Sequence, residues 1–156
     1  MKITHAKTAS ELEEVRCLFR EYAKLMENAL DFEGGFEKEL AGLPGKYTPP
    51  DGALLIAENS QTIAGCVALR KFQGGVCEMK RLFVRPQFRG QGIGRALAEN
   101  IIKEGAGLGY KLMCLGTLDR LQEAMRLYES LGFKRVKPYY NKVLPGAVFW
   151  ELDLNC

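Results

Sequence analysis

The stretch from Val76 to Glu104 constrains this chain more than any other. It opens with a run of strand character, V-C-E-M-K-R-L-F-V, passes through R-P-Q-F into R-G-Q-G-I-G-R, and closes in a helical pattern. Glycines at 90, 92 and 94 carry no Cβ, so a ligand can lie against bare backbone N–H groups where a helix begins and its dipole is positive. From Lys80 to Arg95 the segment holds five basic residues (Lys80, Arg81, Arg85, Arg89 and Arg95) and no acid, which favours a polyanion. A pyrophosphate is the expected ligand.

The common glycine motifs fail here. A dinucleotide fingerprint, G-x-G-x-x-G, would need a third glycine where this chain has Arg95 or Leu97, depending on register. The only Gly-Lys pair, Gly45-Lys46, is followed by Tyr47 and so does not make a Walker loop. What remains is R-x-x-G-x-G (Arg89, Gly92, Gly94), after a strand ending Leu82-Phe83-Val84 and a turn at Arg85-Pro86.

A chain of 156 residues is expected to form one domain around a single core, and 47% apolar with 26% charged residues is globular composition. No apolar run approaches the roughly 20 residues of a membrane span. The start, M-K-I-T-H-A-K-T, lacks the apolar region of a signal peptide, so a cytoplasmic protein is expected. Five cysteines without a C-x-x-C pair read as free thiols. One histidine, at position 5, argues against a His-based metal site or a His-dependent nucleophile, and no metal is expected. With a net charge of +3 and its one basic cluster on the glycine loop, the chain gives little support for nucleic-acid binding.

Along the chain, Lys2 to Lys7 is expected as a first strand. Ser10 to Glu13 reads as a capping box, opening a helix striped by Leu12, Val15, Leu18, Phe19, Tyr22, Leu25 and Met26. A short helix over Phe36 to Ala41 follows. Ala53 to Glu58, Thr62 to Leu69 and Val76 to Val84 form three antiparallel strands leading into the glycine loop. A helix from about Gly92 to Glu104 is ended by Gly105, Gly107 and Gly109. Tyr110 to Thr117 is then a parallel strand, Leu121 to Leu131 a helical stripe stopped by Gly132, and Phe133 to Val136 and Ala147 to Leu154 the last strands.

With this order on the page, R-x-x-G-x-G together with L-Y-E-S-L-G-F (Leu127 to Phe133) resembles the GNAT N-acetyltransferase superfamily over essentially the whole chain. The resemblance implies an α/β (α+β) fold: a mixed, mostly antiparallel sheet of about seven strands with about four helices, splayed between strands 4 and 5. It implies acetyl-CoA as co-substrate, bound by Leu82, Phe83, Val84, Arg89, Gly90, Gln91, Gly92, Ile93, Gly94 and Arg95. It also implies direct transfer to a primary amine on a small molecule or peptide. One position departs: members often carry Asn seven residues before the helix tyrosine, where this chain has Leu121, with Gln122 beside it. A CoA-binding sensor or scaffold without turnover would carry the same loop.

By the same resemblance Glu78, six residues before Val84, is the candidate general base, since an ammonium must lose its proton before attacking a thioester. Its alternative is a strand glutamate paired with Lys80 or Lys71 on an exposed face. Tyr128 is the candidate general acid toward the departing thiolate, or a core tyrosine with a polar tip. Tyr139 and Tyr140 line the acceptor pocket, set a turn at Pro138, or contact a second copy, a homodimer being left open. Asp31, Glu33, Glu37 and Glu39 suit a cationic amine but read first as a solvated helix face. Cys77 and Cys114 read as small buried apolar residues rather than acyl carriers. The acceptor pocket is expected from about Leu30 to Tyr47 and from the Pro138 to Pro145 loop.

Overall fold

The computed structural model describes residues 1–27 and 35–155. Seven strands form one sheet in the order β1-β2-β3-β4-β5-β7-β6. They are β1 (Lys2–His5), β2 (Ala53–Asn59), β3 (Thr62–Gln73), β4 (Val76–Val84), β5 (Leu112–Leu118), β6 (Lys134–Val136) and β7 (Ala147–Asp153). Among the described residues four α-helices pack on it: α1 (Ala9–Leu25), α2 (Phe36–Ala41), α3 (Ile93–Gly107) and α4 (Gln122–Ser130). Every strand pair is antiparallel except β4–β5, which the α3 crossover makes parallel.

Two apolar layers sandwich the sheet. Leu97, Ala98 and Ile101 of α3 pack with Val67, Leu69, Met79, Met113 and Leu115 on one face. On the other, Val15, Leu18 and Phe19 of α1 and Phe36 and Leu40 of α2 pack with Leu54, Ile56, Cys66 and Phe83. Each such large side chain, fully buried, contributes about 2 kcal/mol.

The face that β4 presents changes partway along. Cys77 and Met79 belong to the α3 layer but Phe83 to the α1 layer, although strict alternation would put all three odd positions on one side. The register jumps between Cys66↔Phe83 and Ala68↔Lys80, so β4 carries one extra residue, and Arg81 takes it up at φ 61°. The bulge re-aims everything after it. β4 and β5 are then paired only over Val76–Glu78 and Leu112–Cys114 and splay apart beyond.

Two local expectations change. The cap of α1 is Thr8 rather than Ser10: Thr8 Oγ1 accepts from Glu11 N at 3.1 Å, and Glu11 Oε1 accepts from Thr8 N at 2.9 Å. Helix α3 runs through Gly105 to Gly107 instead of stopping. Gly105 is there for close packing, since a Cβ would sit 3.0 Å from Met113 Cε and 3.3 Å from Cys77 Sγ.

Candidate active site

Where β4 and β5 part, two cavities open. The larger, about 590 Å³, is lined by Leu82, Phe83 and Val84 at the end of β4, by Arg89, Gly90, Gly92, Ile93 and Gly94, and by the start of α4. Gly90 and Gly92 both sit at φ 80°, a conformation that glycine adopts without strain, and a Cβ on either would meet nothing within 4 Å. The space over them belongs to whatever enters the cleft. Gly92 is the N-cap of α3 with no side-chain cap, and among the described residues no backbone acceptor takes the amides of Gly92, Ile93 or Gly94. Orphan N–H groups at a helix start suit a phosphate.

The basic residues divide their duties. Arg89 lines the cleft, its Nε on Val84 O at 2.9 Å and its guanidinium over Phe83. Arg85 is spent on Glu21 and Glu14 of α1, and Arg81 on Glu39 of α2. Arg95 and Gln91 do not line the cleft; Arg95 Nη2 donates to Ser130 Oγ and Gln91 accepts from Asn59. The charge lost this way is restored from Arg120 and Arg126 on the opposite wall, which the motif did not single out. Leu121 and Gln122 line the same wall, Gln122 Nε2 donating to Asp119 O at 2.6 Å.

The second cavity, about 120 Å³, lies against Glu78 to Leu82 of β4, Leu115 to Leu118 of β5, Tyr140, and Lys142 to Leu144. Tyr22, Leu82, Thr117 and Tyr128 line both cavities, so the two meet at Tyr128. The expected acceptor loop is here; of the other expected half, residues 28–34 lie outside the described residues and Gly35 to Tyr47 line a separate hollow.

Glu78 is buried, at 2% exposure, not on an exposed strand face. Its neighbour is neither Lys71 nor primarily Lys80 but Arg70, which faces it across the β3–β4 hairpin and reaches Oε1 from Nε at 2.8 Å. Tyr139 Oη donates to Oε2 at 2.8 Å, Tyr140 Oη lies 2.7 Å from both oxygens, and Lys80 Nζ stands off at 3.9 Å. Tyr140 Oη in turn accepts from Arg70 Nη2 at 3.0 Å. A hydroxyl has one proton and two lone pairs, so the Tyr140 oxygen has one lone pair left for the pocket. Tyr139, by contrast, stacks edge-on against Phe72 and Phe149 and lines neither large cavity.

Tyr128 packs against Phe133 and Trp150, and burial pushes its phenol upward, so it stays protonated. Burial likewise pushes the Cys114 thiol up to about 11, which leaves little thiolate for nucleophilic work at neutral pH. Glu39 is not the solvated helix residue its sequence setting suggests. Burial alone would raise its carboxyl, but Arg81, at 3.0 Å, outweighs that and holds it below the usual range. Glu37 does face solvent, paired with Arg20, while Asp31 and Glu33 lie outside the described residues. Among the described residues no three His, Cys, Asp or Glu side chains converge on a metal position, and no helix is long and apolar enough to cross a membrane.

A splayed mixed sheet that turns a bare helix N-terminus and a strand end toward one cleft is the architecture of an N-acyltransferase. The chain belongs to the GNAT acetyltransferase family, whose domain matches residues 50–135. It is 41% identical over 157 residues to an uncharacterised N-acetyltransferase of Schizosaccharomyces pombe, covering 99% of this chain and 96% of that one. A GNAT-family acetyltransferase structure from Staphylococcus aureus superposes at a TM-score of 0.81, with 23% identity and 98% of both chains covered. The structure of yncA from Salmonella typhimurium with its cofactor acetyl-CoA superposes at a TM-score of 0.77 with 22% identity, covering 99% of this chain and 94% of that one.

Proposed function

We propose that this protein transfers an acetyl group from acetyl-CoA directly to a primary amine, with donor and acceptor bound together. The observation that carries the reading is that a large cleft with bare amides and a small pocket holding Glu78 and Tyr140 meet at Tyr22, Leu82, Thr117 and Tyr128. The described neighbour from Salmonella holds acetyl-CoA on the same fold, which supports that donor.

The donor supplies an acyl group already activated as a thioester. The amides at Gly92 to Gly94 and the Arg89, Arg120 and Arg126 side chains hold its diphosphate. The end of β4, turned by the Arg81 bulge, offers backbone N–H groups at Leu82 to Val84 to the pantetheine amides and the thioester oxygen, where developing charge is stabilised. On the acceptor side, the Tyr140 hydroxyl takes a proton from the ammonium through its remaining lone pair while passing its own to Glu78. The amine nitrogen then bonds the acyl carbon, the C–S bond breaks, Tyr128 gives its proton to the leaving sulfur, and the second proton shed by the new amide nitrogen restores the Tyr128 phenol.

Thiol release from acetyl-CoA, measured with the full chain over a panel of amines, tests the reading. Release matched mole for mole by N-acetylated product supports it; release without such product, or none with any amine, contradicts it. A second reading, CoA binding without turnover, draws on the fact that Arg70, Tyr139 and Tyr140 already occupy Glu78. CoA binding with no thiol release decides for it.

A further inference from the structure

Resting on the transferase reading above, we propose that Tyr22 of α1 is a positioning residue for the chemistry at Tyr128: its hydroxyl donates a hydrogen bond to the Tyr128 oxygen once that phenol has passed its proton to the leaving sulfur. Tyr22, Leu82, Thr117 and Tyr128 line both cavities, so the Tyr22 ring stands at the junction where thioester and amine meet. Leu18 and Phe19, one turn earlier on the same stripe of α1, are fully buried and carry Tyr22 over the end of β4. There its ring lies 5.8 Å from Phe83, the residue that the Arg81 bulge turns to the α1 side. The helix is pinned on either side of it: Glu21 pairs with Arg85 at 2.9 Å, and Leu25 O accepts from Arg120 Nη2 at 3.0 Å.

The need for a donor comes from the setting of Tyr128. Its ring packs against Phe133 and Trp150 and the residue is buried, so the phenolate left after proton transfer is a buried anion. Such a charge is costly without a partner, and a hydrogen bond to a charged oxygen is among the stronger ones. Among the described residues neither phenol oxygen, of Tyr22 or Tyr128, has a hydrogen-bond partner, and neither is sealed off from the cavities. Burial pushes both phenols up, so each keeps its proton at neutral pH, and Tyr22 is near enough to add to that push on Tyr128. A hydroxyl that spends no proton on the protein can give its hydrogen bond to this oxygen. Of the other two residues at the junction, Leu82 has no side-chain donor, and the short Thr117 side chain keeps its hydroxyl close to β5. No proton changes hands between the phenols: Tyr22 keeps its own, and the proton shed by the amide nitrogen returns to Tyr128.

The test is a double-mutant cycle on the full chain, read as thiol release from acetyl-CoA with an amine that the wild type acetylates. Tyr22→Phe keeps the ring against Phe83 and is expected to lower kcat about tenfold, with KM for donor and acceptor unchanged. Made in the Tyr128→Phe background, where no phenolate forms, the same change is expected to cost less than about twofold. Tyr22→Met, which also lacks the hydroxyl, should repeat both results, and thermal melts confirm that each variant is folded. Full kcat in Tyr22→Phe, a loss of the same size in the Tyr128→Phe background, or the non-additive pattern from Thr117→Val in its place overturns the proposal and leaves the transferase reading standing. No thiol release from the wild type with any amine removes both.

Discussion

Tyr140 Oη lies 2.7 Å from each carboxylate oxygen of Glu78 while accepting a hydrogen bond from Arg70 Nη2 at 3.0 Å. The hydroxyl thus stands between a buried acid and the smaller cavity, and its remaining lone pair offers an amine a proton route to Glu78. Glu78→Gln is expected to lower kcat roughly 100-fold at neutral pH and Tyr140→Phe about tenfold or more, with KM for acetyl-CoA unchanged. Because the deficit concerns removing a proton from the amine, it should shrink as pH rises and the amine deprotonates unaided. Steady-state pH profiles of the two variants, with thermal melts to confirm folding, check this; a deficit that stays constant with pH points to a positioning role instead.

Tyr128 is shared by both cavities, and burial keeps its phenol protonated. Tyr128→Phe keeps the contacts with Phe133 and Trp150 but removes the proton, so kcat should fall about 100-fold without a change in either KM. Single-turnover kinetics separate this loss from slow product release.

The Glu39–Arg81 pair ties α2 to the β4 bulge, with Arg81 8% and Glu39 9% exposed. Glu39→Gln leaves a guanidinium buried without its carboxylate and is expected to cost about 3 kcal/mol. Its carboxyl is held below the ordinary 4.5 in the folded state, so the pair's stabilisation is complete above that value and is lost as pH falls below it. Urea melts should show wild type losing this increment in acid, with the variant flatter over the same range.

All six tyrosines have phenols pushed upward, chiefly by burial. A group whose folded value is raised stabilises the fold below its ordinary value, near 10, and loses that contribution as pH climbs further. The tyrosinate absorbance should therefore appear only with the loss of tertiary structure, in one cooperative step. A gradual rise around pH 10 in the folded protein would show exposed phenols instead.

The conformation of the glycine loop was legible in the sequence because it needs residues without side chains: Gly90 and Gly92 both sit at positive φ ahead of α3. The stripe carrying Tyr128 was legible for a different reason, its helical periodicity. Thr8 and Ser10 both begin a box ending in glutamate, and local pattern could not choose between them; Ala6, buried and bonded from its N–H to Leu54 O, ends the first strand early enough for Thr8 to cap. The partner of Glu78 depends on hairpin register across Gly74 and Gly75, which puts Arg70 opposite it. The fate of Arg81 needs a bulge that no spacing announces, and its long-range partner Glu39 looks like a surface residue until that turn is made. Lys142 and Arg120 reach the site only through tertiary folding.

The central claim is that the amides opening α3 hold the donor's diphosphate. Titrating acetyl-CoA into isotope-labelled protein and following backbone amide resonances addresses it directly. The account predicts that the largest shifts fall on Gly90, Gly92 and Gly94, with a second group at Leu82 to Val84. Saturation with these resonances unmoved, or with the shifts concentrated elsewhere, would contradict it.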